Sequence, residues 1–276
     1  MPIVHRQWML AFLVAICMAV SIVPIADDIG ESHVDAAFKR ALVGFALARA
    51  LNGVISVAQG TEIAVQPAGI GVNFTPGQIL DPVNDLIERF SWIMLLASSS
   101  LGIQKILLAM SAWEGLLLGV LVCGGVLIAA LTILRLHTYR QLLQRLFLFL
   151  LLLRFMMPAI SIANDWVYRI FLQDDYIEAS ASLEQAQQAI GSINEEVRSQ
   201  RQQQEPTTLI ERAKTFYENA LDKVDIDRRL DQYRVAAESI SENTITLVVV
   251  FLMQTVVFPL IFLFVVLGII RRLVRF

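Results

Sequence analysis

Between residues 135 and 145 the chain reads Arg135-Leu136-His137-Thr138-Tyr139-Arg140-Gln141-Leu142-Leu143-Gln144-Arg145, three arginines and a histidine with no acid. Apolar runs flank it on both sides, residues 116–134 before it and 142–163 after it. Each run is long enough to cross a hydrocarbon core. A short basic loop between two apolar spans is expected on the cytoplasmic side, where Lys and Arg near span ends are retained. That placement fixes the sidedness of everything else.

Composition agrees with a membrane class. The 276 residues are 56% hydrophobic and have a mean hydropathy of +0.62, more apolar than a soluble domain of this length requires. The formal net charge of -3 gives no case for a nucleic-acid partner. Charge distribution says more. Residues 1–7, 135–145 and 271–276 hold seven of the 22 basic residues and none of the 25 acids. All three pieces are therefore expected in the cytoplasm, and the acids outside.

The expected fold is an all-α integral membrane protein with four transmembrane helices. Residues 1–26 hold a cytoplasmic N-terminus and the first span, from Trp8 to Ile25. It is read as an uncleaved anchor, because a cut after Ala26 would put Pro24 where a signal peptidase wants a small residue. Residues 27–115 are expected as an outer-face layer of interfacial helices containing a short β-hairpin at 61–78. In that layer Ser32 and Asp35 suggest a capping box for a helix starting near 33. Arg49 and Asn52 argue against membrane entry by 41–58, and Ser98 to Ser100, Gly102 and Gln104-Lys105 interrupt 92–113. Residues 116–163 are spans two and three with the basic loop between them. Residues 164–244 are an extracytoplasmic helical hairpin, and 245–276 are span four and a basic cytoplasmic C-terminus.

The hairpin carries the clearest pattern. Leu172, Tyr176, Ala179, Leu183, Ala186, Ile190, Ile193 and Val197 follow one another at alternating steps of four and three. That spacing is a heptad seam. Leu209, Ala213, Phe216 and Ala220, then Leu230, Tyr233, Ala237 and Ile240, mark the returning arm. Residues 165–243 hold 16 acids against nine bases, so the stalk is expected to be acidic and solvated.

Two small-residue ladders, Ala11-Ala15-Ala19 and Gly115-Gly119-Cys123, invite close helix approach. Packing between the first two spans is the expected use, and contact between copies of the chain is the other. Gly125 and Ala129 form a further pair. Both cysteines, Cys17 and Cys123, lie in apolar runs and read as small packing residues.

No catalytic constellation, metal-ligand spacing or cofactor motif is visible, and no enzyme activity or cofactor is expected. The acids around His33 in 27–35 read as helix-start residues rather than metal ligands. Arg154 is the ionisable residue set deepest in a span, a costly and often functional position. Glu114, a lipid phosphate or a second subunit are its expected partners, with Gln254 as a neighbour. The expected role is a multi-pass anchor or scaffold of a bacterial inner membrane that presents the stalk to a protein partner. The alternative is a transporter or channel subunit using Arg154, Gln254 and Glu114.

Overall fold

A computed structural model describes residues 2–60, 63–65, 72–74, 76–132, 139–203 and 223–275. Residues 135–138 of the basic loop, the hairpin turn at 66–71 and the 209–220 apolar set lie outside these. In chain order come α1 (Pro2–Ile22), α2 (Ile25–Gln59), β1 (Ile63–Val65), β2 (Val72–Phe74), a short 3₁₀ turn (Pro76–Leu80), α3 (Asp81–Ser111) and α4 (Glu114–Thr132). They are followed by α5 (Arg140–Phe171), α6 (Gln173–Gln203), α7 (Lys223–Leu252), a π turn (Met253–Val257) and α8 (Phe258–Arg275). The two short strands pair antiparallel, Ile63 opposite Phe74 and Val65 opposite Val72.

The protein is helical. Among the described residues, five helices are long and apolar enough to cross a membrane: 25–59, 77–111, 114–132, 140–171 and 230–268. The apolar stretch Gln7–Ile22 is shorter. Two expectations change here. The helix expected to start near 33 starts at Ile25, and Ser32 caps nothing: its hydroxyl donates to the Ile29 carbonyl within the helix (2.8 Å). The region 92–113 is not two interrupted pieces, because α3 runs unbroken to Ser111. Ser98 and Gly102 fit inside it because a helical Ser can satisfy its hydroxyl on a preceding carbonyl and Gly costs only about 1 kcal/mol.

The chain divides into two compact units. The first comprises residues 1–39, 98–171 and 253–276. Ala11, Val14, Val120, Cys123, Leu127, Leu131 and Phe147 form one buried cluster there, on α1, α4 and α5. The small-residue ladders fall differently from expectation. Ala11 is buried, but Ala15 and Ala19 are exposed, and the inward face of α1 is Ala11, Val14 and Ser21. On α4, Gly115 and Gly119 are half-buried and Cys123 is buried, while Gly125 faces open space. The close approach is at Gly124, where a Cβ would lie 2.6 Å from Met18 Sδ and 2.9 Å from Phe147 Cε2.

Contacts in this unit march in register. Ser21 and Asp27 meet Arg154, Gly30 meets Ser161, and His33 meets Asp165. Positions rise together on both sides, so α1 and the start of α2 run parallel to α5 with no reversal at Pro24. Along α3 and α4 the order falls: Lys105 meets Asp35, Leu108 lies by Gly30, and Gly124 lies by Met18. These two helices run antiparallel to α1 and α2, again through a break. Residues 27–33 thus lie alongside α5, with the end of α3 beside Gly30 and Asp35.

The second unit comprises residues 40–97 and 172–252. Four helices contribute apolar stripes to it. Leu172 just before α6, then Ala179, Leu183, Ala186, Ile190 and Ile193 on it, are buried. Tyr176 is half-buried and meets Phe251 edge-to-face at 6.0 Å. The side chain of Val197 lies outside the described set. On α7 the buried residues are Tyr233, Ala236, Ile240, Thr244, Leu247, Val250 and Phe251, so Ala236 takes the place expected for Ala237. The pairs Tyr176–Phe251 and Asn194–Tyr233 make α6 and α7 antiparallel. On α2, Ala41, Ala48, Leu51, Ile55 and Ala58 are buried, and on α3, Leu80 just before it, then Val83, Ile87, Phe90, Met94 and Ala97. Both stripes keep the same alternation of threes and fours.

One glycine holds the entry to α3. A Cβ on Gly77 would sit 2.1 Å from the Ala58 carbonyl oxygen, a backbone atom that cannot swing away. Gly77→Ala is expected to cost about 1–3 kcal/mol through forced backbone shifts. Thermal unfolding of the purified variant, compared with Gly53→Ala in open space, checks it.

Candidate functional site

The polar residues of the first unit gather where its helices lose regularity. Pro24 has no N–H, so α1 cannot continue through it. The break leaves the Ser21 carbonyl without a helical donor, and Arg154 supplies one, Nη2 lying 3.4 Å away. The same guanidinium holds the Asp27 carboxylate. Nη1 donates to Oδ1 at 2.6 Å, and Nη2 donates to Oδ2. Asp27 stands in the first turn of α2, where the helix dipole favours an anion, and Arg154 meets the carbonyl end of α1, where it favours a cation. One arginine thus bridges both halves of the broken helix. Arg154 is 4% exposed, and its Nε makes no hydrogen bond.

This corrects the expected partner. Glu114 is exposed at the start of α4, and the acid on Arg154 comes from the chain segment 127 residues earlier. Gln254 is not on the guanidinium either. It is buried in the π turn, and its backbone carbonyl accepts a hydrogen bond from Asn164 Nδ2 at 3.0 Å. The π turn has a local cause: Pro259 cannot donate within the helix, and the wider turn relocates the strain.

About two helical turns beyond Arg154, Ser161 donates to the Gly30 carbonyl at 2.7 Å. A Cβ at Gly30 would lie 3.3 Å from the Pro158 Cα, so glycine allows α2 to approach α5 at its proline. Further along, Asp165 Oδ2 accepts from Arg169 Nε (2.6 Å) and lies 3.1 Å from His33 Nδ1. Asp165 is buried while Arg169 is largely exposed. Lys105 and Asp35 form a half-exposed pair at 2.7 Å. Among the described residues no group of three or more His, Cys, Asp or Glu has metal-binding geometry.

Chemically, the set can hold two opposite charges away from water. A single buried ion pair of this kind stabilises little against an apolar replacement, but losing one partner is severe. Sequence reasoning singled out Arg154, Gln254 and Glu114 and missed Asp27, Ser161, Asn164 and Asp165. The available signal was the repetition of polar residues at 154, 161, 164, 165 and 168 on one face of an otherwise apolar helix. No family model, curated protein or solved structure matches the chain.

Proposed function

We propose that this chain is a multi-pass membrane anchor that presents its α6–α7 hairpin to a protein partner in the cell envelope. The observation that carries the reading is the hairpin itself. Its seam residues Ala179, Leu183, Ala186, Ile190 and Ile193 are buried, while the acid-rich faces point outward, Asp174, Asp175, Glu178 and Glu184 among them. A packed apolar seam with a charged exterior is the arrangement of a coiled-coil stalk. Four crossings of a bacterial inner membrane, both termini in the cytoplasm, accord with the basic loop and with the parallel run of α1–α2 beside α5.

Two measurements test this. A topology reporter fused after Phe276 is expected to read cytoplasmic, and one inserted beside Gln203 external; the opposite pattern inverts the scheme. Photo-crosslinking residues placed singly at exposed hairpin positions, Glu184, Ala189 and Val235 among them, are expected to form an adduct with another protein in cells at one or more of them. A chain that stays monomeric and adduct-free at hairpin positions sinks the anchor reading.

A second reading, a transporter or channel subunit, draws on the Arg154–Asp27 pair at a helix break. Broken helices with charged residues at their ends recur at intramembrane transport sites. Ion flux through reconstituted vesicles that disappears in Asp27→Asn would favour it over the anchor reading.

A further inference from the structure

The second unit carries an open groove of about 770 Å³ between α6 and α7. It lies to one side of the heptad seam. Ala186, Ile193 and Ala236 form its buried floor, and Ala189 and Val235 line it as exposed residues. Val235 is 67% exposed, an apolar side chain on a helix whose other face is buried. Along α6 the lining runs from Ser182 to Ile193, about 16 Å at the helical rise. Along α7 it runs from Arg228 to Ser239 in the opposite direction.

We propose that this groove seats an amphipathic, basic α-helix of a partner protein. The inference rests on the anchor reading and names the partner's chemistry. Two parallel ridges with small residues between them, Ser182, Ala186, Ala189 and Ser239, let a third helix come close and insert its own larger side chains. Length favours about three turns of helix over an extended peptide, because the lining has helical periodicity and offers no strand edge. Charge decides the rest. Glu178 stands one turn before Ser182, Glu242 stands one turn after Ser239, and both are exposed. Since α6 and α7 are antiparallel, these two carboxylates flank the same end of the groove. Asp231 lines the groove with Arg228 at the other end. The hairpin as a whole has 16 acids against nine bases. A helix with an apolar stripe and Lys or Arg toward the Glu178–Glu242 end matches both features. The chain's own segment 204–222 carries four acids against two bases, so its charge is the wrong sign.

The test uses the full-length chain in cells with a photo-crosslinking residue at Ala189 or Val235, and in parallel at Glu184 on the opposite face of α6. Adducts are digested and the captured peptide is sequenced. The expected peptide, at both groove positions, is net positive with apolar residues three and four apart. Ala189→Trp fills the groove and is expected to cut adduct formation at Val235 at least tenfold with the unfolding temperature unchanged. Should Ala189→Trp fail to fold, Gln232→Lys places a repelling charge at an exposed groove position and is expected to give the same loss. An adduct to residues 204–222, an acidic or non-helical captured peptide, or adducts unaffected by both variants would overturn the groove. Partner adducts at Glu184 without any at Ala189 or Val235 leave the anchor reading standing and remove this inference alone. No partner at any of the three positions removes both.

Discussion

Arg154→Ala is expected to destabilise the protein by about 3–5 kcal/mol, the cost of leaving a buried charge uncompensated. The variant strands the Asp27 carboxylate between α2 and α5, and it takes the only side-chain donor from the Ser21 carbonyl among the described contacts. The pair and the break are one device. Pro24 interrupts the backbone ladder, the interruption exposes a carbonyl at one end and a dipole-favoured anion site at the other, and a guanidinium spans both because its donors are arranged as a fork. Lysine cannot do this with one nitrogen. Arg154→Lys is therefore expected to recover less than half of the loss, although the charge is kept. Asp27→Asn is expected to cost a similar amount to Arg154→Ala, now through an unpaired arginine. The decisive variant is the double replacement Arg154→Met with Asp27→Leu. Buried ion pairs replaced by apolar residues of similar size are often neutral or stabilising. Thermal unfolding in detergent is expected to place the double variant close to the parent and well above either single one. Additive losses in the double variant would show that the two residues do not act on each other. Retained folding with loss of an ion flux that the parent shows in vesicles would move weight to the transport reading.

How much of this could be read in the sequence differs by region, for physical reasons. The α6 seam was legible because a solvated helix separates apolar from charged residues, and the buried set Leu183, Ile190 and Ile193 stands out against Glu184, Glu195 and their neighbours. The matching stripe on α2 is just as regular, with Ala41, Ala48, Leu51, Ile55 and Ala58 buried, but its outward positions include Leu42, Val43 and Val57. In a helix apolar on every side, periodicity no longer tells which face is inward. The same holds for α1, where Ala15 and Ala19 are exposed beside Phe12, Leu13 and Ile16. Small size at four-residue spacing therefore does not mark the face that packs within the chain. The Arg154 position was visible as an anomaly, whereas its partner was not. Asp27 lies next to Asp28 and near Glu31 and Asp35, in a run that reads equally well as a helix start. Only the parallel course of α1–α2 beside α5, a property of topology and not of local pattern, selects Asp27.

Ile190→Asp is the second large effect and acts within the second unit. Ile190 and Leu183 are fully buried, one heptad apart on α6, and face the antiparallel α7 with its buried Ile240 and Tyr233. Aspartate there removes a large apolar side chain and buries a carboxylate, together a loss of at least about 4 kcal/mol. The seam has little to compensate with. Its polar link at this level is already committed: Asn194 Nδ2 donates to the Val54 carbonyl at 2.9 Å, and Tyr233 Oη donates to Asn194 Oδ1 at 3.2 Å. Separation of α6 from α7 breaks that chain of bonds too, so α2 loses its hold on the hairpin. The buried cluster of Ala11, Val14, Val120, Leu127 and Phe147 shares no residue with this region, and insertion into the membrane is expected to persist. Limited proteolysis of the membrane-embedded variant should therefore cut within α6 and α7 at protease concentrations the parent resists, while the spans remain protected. Glu184→Ala, six residues earlier and exposed, is the control and is expected to stay within about 0.5 kcal/mol of the parent. Unchanged protease resistance in Ile190→Asp would mean that the seam does not hold the hairpin, and the stalk reading would go with it.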